Sequence, residues 1–356
     1  MTSELPPYDC FLLVSFGGPE GQDDVMPFLE NVLRGKRVPR ERMLEVAEHY
    51  RKFGGVSPIN QQNRELEVIK AEFERVGVDL PIYWGNRNWD PLLPDTIRQM
   101  RDDGRKRAIA FFTSMYSCYS GCRQYRENII AAREEVGPDA PLVEKVRMGF
   151  NHPKFIEVMT DNLRESIETL GNTAEQSVVL FTAHSIPLSM SGNCDYEKQL
   201  RETCRLVAGA CGVGQWDLVY QSRSGPPQQP WLEPDICDAI KSRDDEQKLD
   251  SVIVVPIGFI SDHMEVMFDL DEEAAQVCAE RNIRMHRTRT AGIETGFVEM
   301  IRDLVQERVE GRTDRPAVGD LGAWHDVCPE DCCLYTPQRP PTAGGGRPPS
   351  GRPVNA

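Results

Sequence analysis

Six short runs of apolar, β-favouring residues punctuate this chain, and each gives way to Gly, Pro or Ser before a helical pattern begins. They are residues 11–16 (FLLVSF), 82–85, 108–113 (AIAFFT), 177–182 (SVVLFT), 217–221 and 251–257 (SVIVVPI). Runs that are continuously apolar rather than alternating suit strands buried on both faces. Amphipathic stretches such as 63–76 and 196–210 lie between them, and strands alternating with helices build βαβ units on a mostly parallel sheet. The pattern runs twice, once before about Gly149 and once from about Ser177 to Leu304. It predicts an α/β fold of two doubly wound, Rossmann-like lobes with a cleft between them. The expected divisions are an N-terminal lobe over 8–160, a C-terminal lobe over 161–315, an extension over 316–335 and a disordered tail over 336–356, where Pro, Gly and Arg dominate. Ligands of such sheets bind beyond the carboxyl ends of the strands, so functional residues are expected just after the apolar runs.

At 356 residues the chain can bury a large core. Its net charge of −15 argues against a nucleic-acid partner, which would demand clustered Lys and Arg, and favours the approach of a divalent cation. The N-terminal MTSELPPYDC lacks a basic start, an apolar segment and a small-residue cleavage site, so export is not expected. No run reaches the eighteen or so apolar residues of a membrane span, and any membrane contact is expected to be peripheral. The expected place is the cytoplasm. In that reducing setting the eleven cysteines read as thiols rather than disulfides, most of them buried and inert.

Two segments could carry chemistry. In FTAHSIP (181–187), His184 follows a strand run, where a neutral imidazole can accept a proton or ligate iron; the plainer reading is a loop histidine held by hydrogen bonds. In GFISDHMEVMFDLDEE (258–273), Asp262, Glu265, Asp269, Glu272 and Glu273 recur at spacings of three and four, which a helix would gather on one face. Like charges so placed repel by a few tenths of a kcal/mol per pair. The row is either a path for Fe²⁺ or protons, or a solvated face favoured by a helix N-terminus. Porphyrin metallation would use both segments. The entering metal displaces two pyrrole protons, so a base must face the macrocycle, and an imidazole with a carboxylate gives Fe²⁺ exchangeable ligands.

The motifs in order resemble the ferrochelatase family: LLVSFGGPEG, GGVSPIN (54–60), GNRNWDP (85–91), YSGCRQYRENI (119–129), FTAHSIP, QSRSGPPQQPWLEPD (221–235) and GFISDHMEVMFDLD, across about residues 8–310. The resemblance implies that His184 and Glu265 handle iron and protons, with Asp269 on a possible acidic path. It implies that Ser57 and Tyr125 contact the porphyrin. Where many bacterial relatives carry a Tyr that can ligate iron opposite the histidine, this chain has Phe16. The motifs look most like Gram-positive and actinobacterial members that act on coproporphyrin III, with protoporphyrin IX as the other substrate. Neither the iron donor nor the oligomeric state is legible.

Cys328, Cys332 and Cys333 in DVCPEDCCLY are similar to the C-terminal ligands of family members that carry a [2Fe–2S] cluster, with Cys122 or Cys118 as the fourth. A zinc site or free thiols would be the alternatives, although C-x₃-C-C matches no standard zinc spacing. The remaining cysteines, and His49, His152, His286 and His325, read as structural, while His263 stands beside Glu265. Rival functions are a chelatase for another metal, which metal competition would reveal, and a tetrapyrrole or haem carrier. A carrier needs no base beside the macrocycle and would tolerate His184→Ala.

Overall fold

The computed structural model describes residues 5–34, 38–58, 66–225 and 228–335; the expected tail 336–356 lies outside the described residues. Among the described residues, eight strands form two parallel four-stranded sheets. The first holds β1 (Cys10–Ser15), β2 (Ile82–Asn86), β3 (Arg107–Phe112) and β4 (Leu142–Lys145), in the order β2-β1-β3-β4. The second holds β5 (Val178–His184), β6 (Gln215–Gln221), β7 (Ser251–Val255) and β8 (Arg284–Arg287), in the order β6-β5-β7-β8. The two orders are the same permutation. In each sheet the chain winds outward from its first strand, returns past it and continues on the other side. The direction of winding reverses between β1 and β3, and again between β5 and β7, and such a reversal opens a crevice at the strand ends.

The six expected apolar runs form β1, β2, β3, β5, β6 and β7, and every residue of the inner strands β1 and β7 is buried. β4 and β8 were not among those runs. Each has four residues, LVEK and RMHR, largely half-buried and paired on one side only. Alternate residues of a strand face opposite ways, and here the two ways lead to different cores. Cys10, Leu12 and Val14 pack into a core of the first lobe. Phe11, Leu13, Val179, Phe181, Ile253 and Val255 enter one core shared by both lobes. The helices Pro153–Leu170 and Thr295–Val309 run through that shared core. The second of these also meets the helix Leu66–Val76, Phe297 packs edge-on to Phe111, and Arg302 pairs with Glu72. Beyond it the extension is tied down by backbone bonds, Val318 N to Asn151 O at 3.0 Å, and by Asn151 Nδ2 donating to Gly322 O at 2.8 Å.

Candidate active site

β5 ends on His184 at the winding reversal of the second sheet. The ring Nδ1 faces the Ser185 carbonyl at 2.5 Å, which turns Nε2 outward. The local backbone is braced by Tyr196, whose hydroxyl donates to His184 O at 3.0 Å, and by Ser185 Oγ donating to Leu232 O at 2.8 Å. The segment after β7 crosses over this strand end because Gly258 has no side chain; a Cβ there would lie 2.6 Å from Ala183 Cβ. That crossing brings Glu265 Oε1 to 3.6 Å from His184 Nε2. Glu265 Oε2 lies 3.9 Å from His263 Nε2, so the carboxylate stands between two imidazoles. Gln221 Nε2, at the end of β6, donates to Glu265 O at 2.9 Å and to Asp269 Oδ2 at 3.3 Å, and the Ser222 hydroxyl donates to Asp269.

These neighbours divide the protons. Burial alone would lower the His184 pKa, but the Glu265 charge and hydrogen bond, the Ser185 carbonyl and Asp269 together raise it to about 9. Burial would raise Glu265, and His184 with His263 overcome it, so the carboxyl falls to about 2. Burial lifts Asp269 to about 7, against the Ser222 hydroxyl and with the help of Glu265 and Glu273. Burial also lowers His263 despite Glu265. At neutral pH the site therefore holds a cationic His184, an ionised Glu265, an Asp269 near its midpoint and a neutral His263.

The acidic row is not one helical stripe. Met264–Val266 makes a short α-turn, and Met267–Ala274 then widens into a π-helix, whose hydrogen bonds run i→i+5, so residues four or five apart stack. Asp262 and Asp271 pair with Arg287 at 2.9 Å and 2.6 Å, and Glu272 pairs with Lys52. Those three belong to a charge-matched surface. Glu265, Asp269 and Glu273, spaced by four, are left facing the site, and burial with Asp235 and Glu272 raises the Glu273 pKa.

On the first lobe, Ser57 is buried and its N–H donates to Pro19 O at 2.7 Å. Tyr125, on the helix Gln124–Val136, is buried with its ring stacked on Phe112 at 5.2 Å. Among the described residues, no hydrogen bond or ion pair joins Ser57 or Tyr125 to His184 or Glu265. Phe16 packs edge-on to Phe28. The helix Arg40–Lys52, not expected at the site from sequence, reaches the π-helix directly. His49 stacks on Phe268 at 3.8 Å, and Glu265 raises the pKa of the half-buried Tyr50 further than burial alone does. The only sequence signal was their place just before GGVSP.

The cysteines gather at a second place. Cys122, in the π-turn Tyr119–Arg123, is hydrogen-bonded to Cys328. Cys332 Sγ lies 3.5 Å from Cys333 Sγ, and ligand atoms of His325, Cys328 and Cys332 lie within 4.8 Å of one another. Cys118 faces its own turn instead, accepting from Gly121 N at 3.1 Å. The Cys122 thiol, opposed by burial and helped by Lys145 and His325, brings Cys328 down to about 4, while Cys122 itself is raised. Arg123 and Arg126 clamp the loop through the carbonyls of Cys328, Pro329, Glu330 and Cys332. His325, read as structural from sequence, stands among the thiols.

Fold and site together define a two-lobed α/β metal chelatase. The sirohydrochlorin chelatase SirB from Bacillus subtilis subspecies spizizenii, solved with cobalt, shares the fold at a TM-score of 0.52 and 11% identity, over 85% of this chain and 96% of that one. The ferrochelatase family model matches residues 8–309, and the chain belongs to the ferrochelatase family, enzymes that insert ferrous iron into a porphyrin. A ferrochelatase of Rhodopirellula baltica is 70% identical over 99% of both chains. A coproporphyrin III ferrochelatase of Streptomyces coelicolor is 48% identical over 97% of this chain and 98% of its own. Among the described residues no helix is long and apolar enough to cross a membrane.

Proposed function

We propose that this enzyme inserts Fe²⁺ into coproporphyrin III, with His184 and Glu265 handling the metal and the pyrrole protons. The observation that carries the chemistry is the 3.6 Å approach of His184 Nε2 to Glu265 Oε1 at a winding reversal. The substrate choice rests on relatives named coproporphyrin III ferrochelatases at 44–48% identity.

Insertion makes four iron–nitrogen bonds and releases two N–H protons, and the iron stays ferrous. His184 begins protonated and must empty before it can act as a base. An incoming dication between imidazole and carboxylate opposes the imidazolium and drives that proton off. The freed imidazole then accepts a pyrrole proton, and Asp269, near its midpoint at neutral pH, takes protons onward through the groups shared with Gln221 and Ser222. Ser57 and Tyr125 contact the porphyrin. Phe16 offers no oxygen, so iron meets the ring from the His184 side. The lobes divide as 8–160 and 161–315, and the enzyme works in the cytoplasm.

The thiol group suits a [2Fe–2S] cluster. Cys122 with Cys328, and Cys332 with Cys333, make two neighbouring pairs, and each iron of such a cluster takes two thiolates. When bound, it supplies one-electron chemistry and a tie between the extension and the first lobe. No step of insertion passes through it.

Anaerobic Fe²⁺ insertion, followed by porphyrin absorbance with coproporphyrin III and protoporphyrin IX in parallel, tests the reading. Faster turnover of coproporphyrin III is expected, and a preference for protoporphyrin IX overturns the substrate. An unchanged rate in His184→Ala overturns the assigned base.

A further inference from the structure

A solvent-open pocket of about 270 Å³ lies on the first lobe, and Asn31, Arg34, Arg87, Asn88 and Asn128 are among its walls. Arg87 follows β2 and is held from two sides. Its Nε donates to Asn128 Oδ1 at 2.7 Å, and its guanidinium lies 4.5 Å from the Tyr125 ring centre and 5.6 Å from that of Phe16. Among the described residues, neither of its terminal nitrogens has a hydrogen-bond or ion-pair partner.

That arrangement is unusual in a chain with 56 acidic and 41 basic side chains. An arginine stem ordered by stacking and by one hydrogen bond has already lost much of the freedom that ligand binding would cost. What remains is a planar fork of N–H donors, the shape that receives a carboxylate through two parallel bonds. The neighbouring carboxamides are spent on bracing: Asn88 Nδ2 donates to Phe16 O at 3.1 Å, and Asn31 Oδ1 accepts from Arg34 at 2.6 Å. They fix the loop and leave the charge of Arg87 to the ligand.

The rings that hold Arg87 belong to Phe16 and Tyr125, the first-lobe residues assigned to the porphyrin side of the cleft. We propose that Arg87 receives a propionate carboxylate that coproporphyrin III carries and protoporphyrin IX lacks. The assignment rests on the porphyrin reading above and adds a group that discriminates between its two candidate substrates.

The test compares wild type, Arg87→Met and Arg87→Lys, each verified as folded by circular dichroism, through the Kd of metal-free porphyrins measured by fluorescence quenching. Loss of a charge-assisted, bidentate contact corresponds to a roughly ten- to hundredfold weaker Kd. Arg87→Met is expected to weaken coproporphyrin III by that factor relative to protoporphyrin IX, with Arg87→Lys between the two. Coproporphyrin tetramethyl ester, which keeps the ring and removes the charges, should show no such loss. Equal weakening of both acids, or weakening of the ester, overturns the proposal, because a packing role for Arg87 would produce either. If wild type metallates protoporphyrin IX faster while Arg87→Met still selectively weakens coproporphyrin III, the substrate reading fails and the carboxylate receptor stands.

Discussion

Replacing Glu265 by Gln removes the charge facing His184 while nearly preserving size and shape. Opposite unit charges 3.6 Å apart attract by about 1.2 kcal/mol at an effective dielectric of 80 and by about 4.6 kcal/mol at 20. The imidazole is 32% exposed and the carboxylate 46%, so screening holds the interaction in the lower part of that range, at about 1–3 kcal/mol. At 1.36 kcal/mol per pH unit this is about 1–2 units. Glu265→Gln should therefore bring His184 from about 9 down toward its ordinary range. The assay is an NMR titration of ¹⁵N-histidine-labelled, iron-free protein, with the His184 resonance assigned by its loss in His184→Ala. A midpoint displaced by less than half a unit would refute the reasoning, since geometry would then have brought the pair together without coupling their protons.

The same pair sets a window in stability. His184 is held above its ordinary 6.5, so its contribution is complete below about pH 6.5 and is lost as pH rises through about 9. Glu265 is held below its ordinary 4.5, so its contribution is complete above about pH 4.5 and is lost as pH falls through about 2. The stability lost in Glu265→Gln should be largest between those limits, from about pH 4.5 to 6.5, and should shrink on either side.

Asp269→Asn removes the onward acceptor, so insertion should slow on the order of 10-fold, less than the 10²–10⁴ typical of a direct proton acceptor. Its wild-type pKa is raised to about 7, so the carboxyl costs stability as pH climbs from about 4 to 7, and denaturation at pH 8 should find the Asn variant relatively favoured. On the proposed cluster assignment, anaerobically purified protein carries iron and acid-labile sulfide that Cys122→Ser abolishes and Cys118→Ser keeps; the reverse pattern would reassign the fourth ligand, and wild type without either would overturn the cluster. Glu307→Ala should cost about 3–5 kcal/mol in denaturant unfolding, because it strands Arg147, fully buried and held by Glu307 through two bonds of 2.7 Å and 2.8 Å. The double change Arg147→Met with Glu307→Leu should recover most of that loss.

How much of this was legible depended on burial. β1, β3, β5 and β7 lie inside their sheets, where both faces demand apolar side chains, and the sequence announces them as unbroken runs. The edges β2 and β6 still carry apolar runs, but the short edges β4 and β8, LVEK and RMHR, carry the charges an edge tolerates, so no run marks them. The acids of 258–273 showed a spacing but not their partners. Arg287 and Lys52 are distant in sequence, and only the fold says that Asp262, Asp271 and Glu272 are matched while Asp269 is left to the site. Cys118 and Cys122 lie in a single turn, and spacing cannot choose between thiols whose directions depend on a π-turn.

The repeated strand order sharpens the division of labour across the cleft. Both lobes present a winding reversal, yet the side chains just past the strand ends differ. In the second lobe β5 and β7 lead to His184 and Glu265, a facing pair 3.6 Å apart to which the proposed function gives the proton chemistry. In the first, β1 and β3 lead to Phe16, Thr113 and Ser114, none of which titrates near neutral pH, and the nearby cation, Arg87, is packed against aromatic faces. Under the proposed function, a flat, apolar macrocycle between two such surfaces meets proton and metal chemistry on one face and packing on the other. Duplicated topology supplies the cleft, and the asymmetry of the residues at its two strand-end crevices makes it directional.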